Sequence, residues 1–139
     1  MKITLNRKKK MYSKARSVLE NAYSPYSKVK VAAAVIDERG RIFTGVNVEN
    51  ASLGLTICAE RNAIANAIAN KAKNIKGVLI ISNVGLLSPC GACRQVIAEL
   101  AFSNTPIFLA DFDGIKKELT IGELLPDNFN KNNVIDDIT

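Results

Sequence analysis

The chain has 139 residues, enough for one domain with its own core and too few for two ordinary ones. With 47 % hydrophobic and 23 % charged residues it lies outside the disordered regime, and no apolar run approaches the roughly 20 residues a membrane helix needs. The net charge of +6 is concentrated at the start: residues 1–30 hold nine Lys/Arg and one Asp/Glu, residues 31–139 ten and twelve. A run such as Arg7-Lys8-Lys9-Lys10 therefore reads as the solvated face of one N-terminal helix, and a nucleic-acid partner is not expected. No apolar stretch follows these charges to make a secretory signal, so the cytoplasm is the expected compartment.

In chain order, Met11, Ala15, Val18, Leu19 and Ala22 form the apolar stripe of a first helix, which Ser24-Pro25-Tyr26-Ser27 ends. Residues 1–10 ahead of it are expected to be loosely ordered. Residues 29–36 are short, β-branched and bounded by Asp37-Glu38-Arg39-Gly40, after which residues 41–48 pair back as a hairpin. Residues 57–73, rich in alanine with Ile64 and Ile68 four apart, favour helix. Residues 78–82 are apolar on both faces and read as a central buried strand. Helix spacing returns over residues 90–101, followed by a short strand at 107–110, a turn at Asp113-Gly114 and an edge strand at 115–119. Thr120-Ile121-Gly122-Glu123 offers a capping box for a short last helix, and the Asn-rich tail at 130–139 is expected to be loosely ordered. The order α-β-β-α-β-α-β-β-α describes a single α/β domain over residues 1–139, a mixed sheet with helices on both faces.

The chain contains no histidine and three cysteines. Mechanisms and metal sites that need imidazole are excluded, and an odd cysteine count in a reducing compartment favours metal chemistry over a disulfide framework. Cys58-Ala59-Glu60 and Pro89-Cys90-Gly91-Ala92-Cys93 each open a predicted helix, where N–H groups and the helix dipole favour thiolates. Three thiolates would fill three corners around Zn²⁺ and leave the fourth for water, the geometry of a catalytic site. Glu60 is either a fourth ligand or, two residues after Cys58, an acid/base beside the reacting water. Three thiolates weaken the metal's acidifying power, and Arg61 is placed to hydrogen-bond them and offset that charge. Cys-x-Glu with Pro-Cys-x-x-Cys follows the zinc-deaminase pattern, in which cysteine can replace the usual histidine and the Glu is not a ligand.

The segments Tyr23-Ser24-Pro25-Tyr26-Ser27, Gly45-Val46-Asn47-Val48-Glu49-Asn50-Ala51-Ser52, Cys58-Ala59-Glu60-Arg61 and Ser88-Pro89-Cys90-Gly91-Ala92-Cys93-Arg94-Gln95 closely resemble the small homotetrameric cytidine deaminases, as does Glu123-Leu124-Leu125-Pro126 followed by Phe129. The resemblance implies a three-layer α/β/α fold with a mixed five-stranded sheet and one zinc per subunit on Cys58, Cys90 and Cys93. It further implies hydrolytic deamination of free cytidine and deoxycytidine, with Glu60 as the proton shuttle, in a tetramer whose subunits share active sites. Asn47 and Glu49 would hold the ribose 3′-hydroxyl, Ala51 would lie in the nucleoside loop, the Ala59 N–H would meet the pyrimidine carbonyl, and Phe129 would close a neighbour's pocket. Two positions depart from the family pattern: Val29 stands where an aromatic is usual and Ala32 where glycine is. Loss of that stacking surface keeps a blasticidin S-type deaminase open as an alternative. A polynucleotide deaminase using the basic helix, and a structural zinc module, are further from the pattern.

Overall fold

The structure, a computed structural model, describes residues 2–135. Helix α1 (Leu5–Val18) precedes a hairpin of β1 (Val31–Asp37) and β2 (Ile42–Val46), then α2 (Ala59–Ala69), β3 (Ile75–Ser82), α3 (Gly91–Leu100), β4 (Pro106–Asp111), β5 (Gly114–Thr120), α4 (Ile121–Leu124) and a last turn, α5 (Asn132–Ile135). The five strands form one sheet in the order β2-β1-β3-β4-β5. Only β3 and β4 run parallel, with α3 as their crossover. Every other pair is antiparallel, so the sheet is mixed as expected.

The apolar side chains of the inner strands divide between two faces with period two. Ala33, Val35, Val78, Ile80, Ile107 and Leu109 pack with Ala63, Ile64 and Ala67 of α2 and Ile97 of α3. Ala32, Ala34, Ile36, Leu79, Ile81, Phe108 and Ala110 pack on the other face with Met11 and Ala15 of α1. Strands buried on both faces read as continuous apolar runs, which is why residues 78–82 carry no polar alternation. The layers are thus α/β/α.

Two close approaches set the spacing of these layers. At Gly45 on β2 a side chain would collide with the α2 backbone: a Cβ there would lie 2.7 Å from the Ala59 carbonyl oxygen and closer still to the Ala63 nitrogen. At Gly77 on β3 the missing side chain makes room for Ile3, which is buried over it. That contact corrects the expectation of a loosely ordered residue 1–10 segment. Ile3 anchors it, the Thr4 hydroxyl accepts the Arg7 N–H at 3.2 Å as an N-cap, and helix begins at Leu5. Lys8, in the basic run, lies over the Phe108 ring at 5.2 Å and pairs with Glu118 at 3.5 Å.

Ahead of the Asn-rich tail the Gln95 side chain donates to the Phe129 carbonyl at 2.7 Å; within the tail Asn132–Ile135 forms a helical turn, and residues 136–139 lie outside the described part. Other boundaries move for local reasons. Residues 29 and 30 are held by Asn47 and Asn83 side chains instead of a strand ladder. Ile57 pairs with Val48 in an isolated bridge, so α2 starts two residues later than the sequence suggests, and it ends before Lys71, whose φ is +70°. The capping box forms as read: the Thr120 hydroxyl accepts the Glu123 N–H at 3.2 Å, and the Glu123 carboxylate accepts the Thr120 N–H at 3.2 Å.

Candidate active site

Cys58 and Cys90 are the N-cap residues of α2 and α3, both with extended backbone and no side-chain cap bond, and Cys93 lies in the first turn of α3. Because α2 rests on β1 and β2, and α3 leaves the carboxyl end of β3, the two helix starts meet at one end of the sheet. The three sulfurs lie within 4.8 Å of one another, with Cys58 Sγ 4.0 Å from Cys90 Sγ. That separation is far beyond a disulfide bond and close to the edge, about 3.8 Å, of a tetrahedron built from Zn–S bonds of about 2.3 Å. Among the described residues no carboxylate joins this group, so Glu60 stands outside the ligand set.

Without a metal the cluster shares its protons unevenly. Hydrogen bonds from the Cys93 thiol, from Arg61 and from the Cys90 thiol draw the Cys58 thiol down to about 5. Cys93, which donates a hydrogen bond to that thiolate and is buried near Glu60, is pushed up instead. A dication inverts this arrangement, since coordinated thiols lose their protons outright. Arg61 Nη2 donates to Cys58 Sγ at 3.6 Å and to the Thr56 carbonyl at 3.4 Å, while its buried Nε has no partner. Three thiols, two helix N-termini and a cation directed at sulfur therefore suit one zinc ion.

Glu60 sits on the first turn of α2, 5 % exposed. Burial, then the neighbouring Cys58 thiolate, raise its carboxyl above the usual range. A carboxyl so placed keeps its proton to higher pH than an exposed glutamate does.

The expected nucleoside residues reach the cluster through one bridge. Val48 and Ile57 exchange two backbone hydrogen bonds of 3.0 Å, which puts Asn47 and Glu49 on either side of the residue paired next to Cys58. Asn47 is buried; its Nδ2 donates to the Val29 carbonyl at 2.8 Å and its Oδ1 accepts the Val31 N–H at 2.9 Å. Glu49 accepts the Tyr26 N–H at 2.9 Å, the Ser27 N–H at 3.2 Å and the Ser27 hydroxyl, which together hold its carboxyl below the usual range. Both side chains therefore shape the segment at residues 26–31, leaving Asn47 with one N–H and one lone pair unspent. Ala51 is exposed on the loop between β2 and α2. Ala59 is buried at N1 of α2, where the N–H has no intrahelical partner. Phe129 is 63 % exposed. Val29 is half-buried, and its carbonyl is what Asn47 holds. Sequence reasoning gave no separate role to Ser27, which donates to the Glu49 carboxylate, or to Arg94 and Gln95, which reach the distant carbonyls of Leu124 and Phe129.

A Cys-x-Glu and a Cys-x-x-Cys brought together at two helix N-termini, with the Glu outside the ligand set, define the zinc-deaminase arrangement. The profile of the cytidine and deoxycytidylate deaminase zinc-binding region matches residues 5–109. A cytidine deaminase of Sporosarcina psychrophila is 40 % identical over 123 residues, 88 % of this chain and 90 % of that one. One of Halalkalibacterium halodurans is 41 % identical over 111 residues, 79 % and 84 % of the two chains. A crystal structure of cytidine deaminase from Burkholderia pseudomallei superposes with a TM-score of 0.81 at 39 % identity, covering 87 % of this chain and 98 % of that one. The chain belongs to the cytidine and deoxycytidylate deaminase family.

Proposed function

We propose that this chain hydrolyses free cytidine and deoxycytidine to uridine and deoxyuridine, releasing ammonia. The observation that carries the reading is the convergence of three thiols within 4.8 Å beside a buried Glu60 that is not one of the ligands. Zinc, when bound by Cys58, Cys90 and Cys93, supplies the Lewis acidity that makes water a nucleophile at neutral pH. Glu60 takes the proton of the water that attacks C4, delivers one to N3, and carries another to the departing amine. Its burial keeps that proton off bulk solvent. Arg61 offsets the charge of the thiolates, and the Ala59 N–H, free at the start of α2, meets the pyrimidine carbonyl.

The remaining N–H and lone pair of Asn47, with the Glu49 carboxylate, would hold the ribose 3′-hydroxyl while Ala51 lines the sugar's loop. Both polar residues thus serve the backbone at 26–31 and the sugar together. Tyr23, Val48 and Ile57, exposed and joined by bridges, form an apolar surface near the cluster. We place neighbouring subunits of a homotetramer there, with Phe129 of one chain stacking into the site of another. Light scattering should then give about 60 kDa for a chain of 15.1 kDa. Free thiols in all three positions suit a reducing cytoplasm.

The test is turnover of cytidine by zinc-loaded protein beside Glu60→Gln. Wild-type activity is expected, with the variant keeping its zinc and losing about 10²- to 10⁴-fold in kcat. Near-normal turnover by the variant would remove Glu60 from its role. Blasticidin S and single-stranded DNA assayed in parallel separate the other substrates, which Val29 and the basic α1 respectively keep in view.

A further inference from the structure

We infer that Arg94 is a positioning residue for the metal cluster: its guanidinium fixes the backbone just before Cys90 and ties it to the C-terminal segment that carries Phe129. The inference rests on the reading of the three cysteines as zinc ligands. Arg94 follows the buried Cys93 directly, in the first turn of α3. Its Nε donates to the Pro89 carbonyl at 2.7 Å and its Nη2 to the Ser88 hydroxyl at 3.0 Å. Its Nη1 donates to the Leu124 carbonyl at 2.8 Å. Leu124 ends the short helix α4, whose last carbonyls lack intrahelical partners. The next residue, Gln95, holds the Phe129 carbonyl at 2.7 Å.

Cys90 itself is exposed and its side chain makes no cap bond, so its position depends on the loop that delivers it. One planar fork joins that loop, the helix bearing Cys93 and the chain leading to Phe129. A lysine keeps the charge but presents a single point, and cannot meet three acceptors set at the angles of a guanidinium. Spacing between Cys90 and Cys93, and the placement of the C-terminal segment, therefore share one support.

Arg94→Lys, Arg94→Gln and Ser88→Ala would be compared with wild type for zinc stoichiometry, zinc release to a chromogenic chelator, melting of the zinc-free protein, and KM and kcat for cytidine. Outer partners of metal ligands typically govern affinity by about 10- to 100-fold, and release from Arg94→Lys should accelerate by that amount, with Ser88→Ala in between. The zinc-free melting temperature should move by less than about 4 °C, the shift that 1 kcal/mol produces in a chain of this size. At saturating zinc, KM should rise more than kcat falls, because the Phe129 segment is released while Glu60 is untouched. Wild-type release rates in Arg94→Lys, or acceleration that only tracks a loss of zinc-free stability, would overturn the inference. If the Arg94 variants do not fold, Ser88→Ala decides alone: release at the wild-type rate overturns it. A wild-type chain that binds no zinc is seen separately in the stoichiometry, and overturns the metal reading together with this inference.

Discussion

Four helices of this fold begin on residues with nearly the same extended backbone, yet they begin in two different ways. Thr4 and Thr120 (ψ 162° and 156°) turn a hydroxyl back onto the helix and satisfy an orphan N–H. Cys58 and Cys90 (ψ 154° and 168°) make no such bond. A side-chain cap contributes about 1 kcal/mol, so the α2 and α3 starts forgo that stabilisation. What they keep is a pair of positive helix ends with N–H groups free to face anions, and sulfurs free to face a metal. The end of the sheet that holds the chemistry is built from positions where the stabilising residue has been left out.

Cys90→Ser breaks this contrast most severely, because it converts a site start into a capped start. Zinc stoichiometry should fall toward zero, and turnover by about 10³-fold or more, as loss of several kcal/mol of Lewis-acid stabilisation requires. Urea unfolding of the zinc-free protein should move the other way, gaining about 0.5–1 kcal/mol from the new cap. A variant that binds zinc fully, or whose zinc-free form is weakened, would refute the trade between capping and ligation.

Gly45→Ala tests whether the site end also depends on close packing. A methyl there meets the α2 backbone at Ala59 and Ala63, one turn of the helix that carries Glu60 and Arg61. Backbone cannot rotate away as a side chain can, so the cost should reach about 3 kcal/mol, the upper range for overpacking. Denaturant unfolding would read it, and a loss below about 1 kcal/mol would mean that α2 shifts freely on the sheet.

At the opposite pole stands Asp37, fully buried and fully occupied. Burial would raise its carboxyl, but N–H donors of Arg41 and Arg39 and the Arg41 guanidinium, 2.7 Å away, outweigh burial and hold it below 3.8. Its stabilisation is therefore complete above that value and is lost as pH falls through the lower folded one. Asp37→Asn should cost roughly 2 kcal/mol at neutral pH, since the Arg41 end is partly solvated, and the difference from wild type should shrink as pH falls through the lowered folded value. A pH-independent difference in urea midpoints would assign the cost to packing instead.

The contrast between these regions also marks how far the sequence could be read. Strands with period-two burial, the Thr120 capping box and the two cysteine motifs are local patterns, and each forms where the spacing puts it. The order of residues 3–10 was hidden because its anchor is a contact between Ile3 and the bare backbone of Gly77, 74 positions away. Asn47 and Glu49 were legible as a polar pair but not as supports of residues 26–31, since their partners are backbone atoms that carry no sequence signal. Arg94 lay inside a recognisable motif, yet its third acceptor is the Leu124 carbonyl, which only the folded chain brings near.

Thr120→Ala is the mildest of these changes and the control for the first. It removes the hydroxyl that accepts the Glu123 N–H and donates to the Glu123 carboxylate, while the Thr120 N–H keeps its carboxylate partner. A loss of about 1 kcal/mol in urea unfolding is expected. Zinc stoichiometry should not change, because the bond from Arg94 to α4 is accepted by the Leu124 carbonyl and does not use the Thr120 hydroxyl. If Thr120→Ala also releases zinc, then capping and ligation are not separate functions at separate helix starts, and α4 belongs to the support of the metal site.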